Sequence, residues 1–66
     1  LEQRVARLLL EAESMSIPAR PRELAAYLGA ARESVSRVLL RFAREGLVGR
    51  KDGEFYVLDR SGLDSV

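Results

Sequence analysis

Sixty-six residues suffice for one small domain, whose core is worth only ~3–5 kcal/mol net. The chain has no cysteine and no histidine, which excludes disulfide staples, the usual zinc sites and haem or iron–sulfur sensing. The net charge of +1 hides a division: residues 20–51 carry eight basic against three acidic side chains, net +5, between ends of −1 (residues 1–19) and −3 (residues 52–66), a footprint for an anionic partner.

Leu1, Val5, Leu8, Leu9 and Ala12 recur at helical spacing and predict a first helix from Leu1 to about Ala12. Glu13 to Arg20, with Ser14, Ser16 and Pro18, reads as a connector in which Ile17 is a candidate for brief strand pairing. Pro21 suits the first position of a second helix, where its missing N–H is not needed. That helix runs through Leu24, Ala25 and Leu28 and is expected to stop at Gly29, which can take the left-handed conformation of many helix ends. A third helix is expected from near Arg32 to Gly46. Only Ala30 and Ala31 separate it from Gly29, so the two helices form a helix-turn-helix. Leu47-Val48, then Gly49-Arg50-Lys51-Asp52-Gly53, then Glu54 to Leu58 reads as strand, turn, strand, with Asp52-Gly53 as the hairpin signal. The tail, Asp59 to Val66, is expected to form one turn that folds Leu63 and Val66 onto the core. This order predicts an α+β winged helix, a three-helix core followed by a β-hairpin wing, as one domain over residues 1–66.

At about 100° per residue, Val35, Val38, Leu39 and Phe42 fall in one stripe of the third helix and are the expected packing anchor. Glu33, Arg37, Leu40 and Arg44 lie opposite, with Ser36 and Arg41 on the flanks and Arg32 in the first turn. Part of this is ordinary helix support: Glu33 and Arg37 are i,i+4 in the favourable order, worth ~0.2–0.5 kcal/mol, and Arg41 and Glu45 are i,i+4 in the weaker one. Yet Arg37 and Arg41 are like charges at the same spacing, with Arg44 one turn on. A row that weakens its own helix is rational if an anion neutralises it. A helix lying in the major groove presents its N-terminal residues to base edges. Arg can take guanine O6 and N7 together, and Glu can accept from cytosine N4. A carboxylate repels phosphate, so Glu33 among arginines points to base reading; the helix dipole also favours an acid there. Ten of the eleven basic residues are Arg, which suits bidentate recognition and equally fits a coding bias.

Arg22 to Val48, "RELAAYLGAARESVSRVLLRFAREGLV", resembles the helix-turn-helix signature of the Crp–Fnr family of bacterial transcription regulators. The Leu24, Gly29, Arg32, Glu33, Val35, Ser36, Arg37, Leu39 and Gly46 pattern carries the likeness. It implies the winged-helix C-terminal domain of such a regulator. It assigns base reading to Arg32, Glu33, Ser36 and Arg37, on half-sites with a TGA-like core in an inverted repeat. It further implies a homodimeric parent that meets RNA polymerase, and a sensor portion, of the cyclic-nucleotide-binding type, that lies outside these residues. The first residue is Leu rather than Met, so the chain is expected to be a fragment, monomeric and weakly binding by itself, with no cofactor or metal of its own. Arg20, Arg22, Arg41, Arg44, Arg50 and Lys51 are the candidate phosphate contacts. For Arg50 and Lys51, in the wing, a solvated turn is the alternative.

Three positions depart from the family pattern. Ala31 stands where Ser or Thr usually caps the recognition helix, a loss of ~0.5–2 kcal/mol. The second helix also lacks a capping side chain, with Arg20 or Pro21 in that place. Leu40 faces outward where a polar residue is more usual, either to touch a thymine methyl or to cover a neighbour. Tyr27 invites a base-stacking reading, but in an Ala/Leu-rich helix it is expected to be partly core. Phe55 and Tyr56 are expected to divide between core and surface.

The competing function is a winged helix used as a protein-interaction module, which would expose an apolar patch with a polar rim. An enzyme is not expected: there is no nucleophile–base set, Gly-rich phosphate loop or carboxylate cluster. The absence of disulfides suits the cytoplasm, no apolar run approaches the ~20 residues of a membrane helix, and no signal peptide is visible.

Overall fold

The computed structural model describes all residues, Leu1–Val66. Their order is α1 (Glu2–Ser14), α2 (Pro21–Leu28), α3 (Arg32–Arg44), β1 (Val48–Lys51), β2 (Glu54–Val57) and α4 (Arg60–Asp64). This is an α+β winged helix-turn-helix, with one antiparallel two-stranded sheet. No helix is long and apolar enough to cross a membrane.

The helix-turn-helix is closed by hydrogen bonding. Gly29 takes the left-handed conformation, φ 65°. Its N–H donates to the Ala26 carbonyl at 3.3 Å, and the Ala30 N–H donates to the Ala25 carbonyl at 3.0 Å. This is a Schellman closure, which satisfies carbonyls the helix end would leave unpaired. After α3 the same pattern recurs: Gly46 donates to Ala43 at 3.1 Å and Leu47 to Phe42 at 2.9 Å. Gly46 therefore lies beyond the helix, which ends at Arg44 rather than at the glycine. Helix α1 ends likewise, later than the expected Ala12, with Ser16 donating to Glu13 at 3.2 Å and Ile17 to Ala12 at 2.8 Å. Here the left-handed position, φ 55°, belongs to a serine.

In the wing, Val48, Gly49, Arg50 and Lys51 pair with Val57, Tyr56, Phe55 and Glu54. The turn is only Asp52-Gly53, both at positive φ (53° and 77°), the combination whose twist matches a tight hairpin. Arg50 and Lys51 therefore lie in β1, not in the turn as their sequence neighbours imply. Gly49 accommodates its cross-strand partner: a Cβ there would overlap the Tyr56 ring. The connector's strand pairing is made by Ala19, not Ile17. Phe55 N–H donates to the Ala19 carbonyl at 2.8 Å, while Ile17 is exposed. Ala19 wins because its small side chain is buried at the point where the chain meets β2.

Val5, Leu9, Val35, Leu39, Phe42 and Leu63 are among the side chains that fill one core shared by α1, α2, α3, both strands and α4. Val35, Leu39 and Phe42 are buried as their spacing requires, and Val38 packs on the core edge. The tail turns as expected: Leu63 is buried, Val66 packs against the cluster, and Asp59 caps α4 by accepting from the Gly62 N–H at 2.9 Å. Phe55 is buried and Tyr56 half-exposed, as strand alternation requires. Tyr27 departs from expectation. It is 78% exposed, because Leu24, Ala25 and Leu28 already supply the inward face of the short helix α2.

Candidate nucleic-acid interface

Three inward residues of α3 fix which of its side chains face out. With Val35, Leu39 and Phe42 in the core, Arg32, Glu33, Ser36 and Arg37 line one open depression on the outer surface, with Leu40 at its rim. Arg37, Leu40, Arg41 and Arg44 line the next depression along the helix, beside Val38. Leu40, 44% exposed, thus sits between the two groups as an apolar divider.

The charges differ in freedom. Glu33 and Arg37 approach to 3.8 Å across one turn, with both side chains at least four-fifths exposed. So loose a pair is worth a few tenths of a kcal/mol at most and leaves both groups available. Arg22, Arg32, Arg44, Arg50 and Lys51 form no ion pair at all. Arg50 lies 5.7 Å from the centroid of the Phe55 ring, a cation–π approach that keeps its charge on the wing surface.

Two of the six expected phosphate contacts are engaged. Arg20, the residue preceding Pro21 at the start of α2, donates to Glu54 Oε2 at 2.8 Å, tying α2 to the wing. Arg41 pairs with Glu2 of α1 and reaches Glu45, its expected helical partner, only at 3.9 Å. Sequence reasoning missed Glu2 and Glu54, because each meets its arginine from a distant element and no periodicity links them. Arg60–Glu13, which ties α4 to α1, was missed for the same reason.

The helix starts are bare where expected. Ala31 precedes α3 in extended conformation, and no side chain caps the helix. The first turn of α3 therefore presents unpaired backbone N–H groups and positive dipole charge. Arg20 in the same position of α2 also provides no cap.

Comparison with known proteins agrees with this architecture. The family model described as a Crp-like helix-turn-helix domain matches residues 3–66. Among solved structures, a protein described as a crp/fnr-family transcriptional regulator from Eubacterium rectale superposes with a TM-score of 0.90 at 35% identity, covering 98% of this chain and 32% of its own. A CRP/FNR-family transcriptional regulator from Thermus thermophilus superposes with a TM-score of 0.88 at 33% identity, covering 98% of this chain and 39% of its own. No curated protein matches. The chain spans about a third of the length of these two relatives. A winged helix with this α3 surface and a match over residues 3–66 places the chain in the Crp-like helix-turn-helix family.

Proposed function

We propose that this chain is the sequence-specific, double-stranded-DNA-binding domain of a Crp–Fnr type transcription regulator, with α3 as the helix that enters the major groove. The observation that carries this reading is the outer face of α3, where Arg32, Glu33, Ser36 and Arg37 share one open depression and no other element covers them. Arg32 and Arg37 take guanine edges and Glu33 accepts from cytosine, with Ser36 beside them. Arg22, Arg44, Arg50 and Lys51 contact phosphate in every complex, and Arg20 and Arg41 do so only in the fraction of complexes in which they release their carboxylates. The operator is an inverted repeat with TGA-like half-sites, bound by a homodimer of the parent, which also meets RNA polymerase. Any effector, such as a cyclic nucleotide, acts on the parent outside these residues.

The test is fluorescence anisotropy on two labelled duplexes, a TGA-containing inverted repeat and a scrambled one, across a salt series. Preference for the repeat that survives added salt supports base reading. Equal, salt-sensitive binding to both leaves only a basic surface, and no binding at low salt moves the protein-interaction module to first place. Replacing Arg37→Ala is expected to weaken binding to the repeat by ~1–3 kcal/mol and to blur one base pair, while leaving the scrambled duplex nearly unaffected. Unchanged discrimination removes Arg37 from the reading set.

A further inference from the structure

We propose that Glu2 limits DNA affinity by holding Arg41 of the recognition helix as an internal stand-in for phosphate. The proposal rests on the DNA-binding reading above. Arg41 lies on the flank of the outer face of α3, in the same depression as Arg37 and Arg44. Arg44, one turn on, is free, whereas Arg41 is directed to the first turn of α1. Both side chains remain within reach of solvent, Arg41 54% and Glu2 37% exposed, so the pair can open without unfolding the domain. The arrangement nevertheless resists opening. Glu2 Oε2 faces Arg41, the basic group it pairs with. Moving Arg41 to a phosphate gives up this partly exposed ion pair, a modest cost that the phosphate contact must offset.

Glu54 differs. Its pair with Arg20 sits beside the main-chain bond from Phe55 to Ala19 and braces the wing against the connector. Glu2 makes no such bridge of backbone to backbone. Its position in the first turn of α1 does suit the helix dipole. That role predicts a stability change in a Glu2 variant with no change in DNA binding, and so separates from the proposal by measurement.

The experiment is the duplex titration across a salt series with the parent sequence, Glu2→Gln, Arg41→Ala and the double variant, each checked by circular dichroism and thermal unfolding. Glu2→Gln is expected to tighten binding to the repeat and the scrambled duplex alike, by roughly three- to tenfold at 50 mM salt. It should steepen the log–log salt dependence by about 0.9, the contribution of one further phosphate contact. In the Arg41→Ala background the same change is expected to do nothing. Equal affinity and slope in Glu2→Gln and the parent sequence overturn the proposal. So does equal tightening in the Arg41→Ala background, which reports general loss of negative charge. If the parent sequence binds neither duplex at low salt, the DNA-binding reading falls first and takes this one with it. If it discriminates while Glu2→Gln changes nothing, this proposal alone falls.

Discussion

Among the basic side chains, similar chemistry sits in unlike surroundings. Lys51 stands at the end of β1, exposed and unpaired, while Arg20 is tied to Glu54 at 2.8 Å. A contact to the DNA backbone adds affinity without sequence information, so the free cation is the better probe of that role. Replacing Lys51→Ala is expected to weaken both duplexes by the same factor and to reduce the salt slope by about 0.9, read in the anisotropy series. A loss confined to the repeat would instead make Lys51 a reader of bases or groove shape. Leu40 offers a contrast of another kind. Its exposure among charged neighbours follows from helical geometry alone.

The helices of this domain are closed better than they are opened. All three long helices end in the same pair of backbone bonds, around Ser16, Gly29 and Gly46. None of the three has a capping side chain at its start, and only the short α4 does, through Asp59. Ala31 already has the extended backbone a cap requires, φ −68° and ψ 136°, so only the hydroxyl is missing. Ala31→Ser is therefore expected to stabilise the domain by ~1 kcal/mol and raise its melting temperature by roughly 4–8 °C, measured by circular dichroism. No rise would mean that packing of Val35 and Leu39 already fixes the first turn. The closures at Gly29 and Gly46 were legible in the sequence, because glycine takes the left-handed conformation freely. The one at Ser16 was not, because that conformation is unfavourable for serine and the local sequence gives no reason for it. Pro21 and Asp52-Gly53 were legible for the same kind of reason: the residue type dictates the backbone.

The whole molecule stands on few buried side chains. Phe42, Leu9, Leu39, Leu63, Val5, Val35 and Val48 are its largest fully buried groups, and no polar residue joins them. A core of this size is worth ~3–5 kcal/mol net, and truncating a buried phenylalanine costs ~3–5 kcal/mol. Phe42→Ala is therefore expected to unfold most of the population at 25 °C, seen as loss of helical ellipticity and of binding to every duplex. Arg37→Ala, on the opposite face of the same helix, should leave the ellipticity intact. A folded Phe42→Ala domain would show that the core carries more than this reckoning allows. The sequence by itself determined the order of elements, the inward stripe of α3 and hence the residues on its outer face. Each of these follows from local periodicity or from the backbone preference of glycine and proline. Only the tertiary structure decided that Ala19 rather than Ile17 meets β2, that Tyr27 faces solvent, and that Arg20 and Arg41 are held by Glu54 and Glu2. Those outcomes depend on which element lies beside which, and a charge pair between distant segments leaves no trace in the spacing of either one.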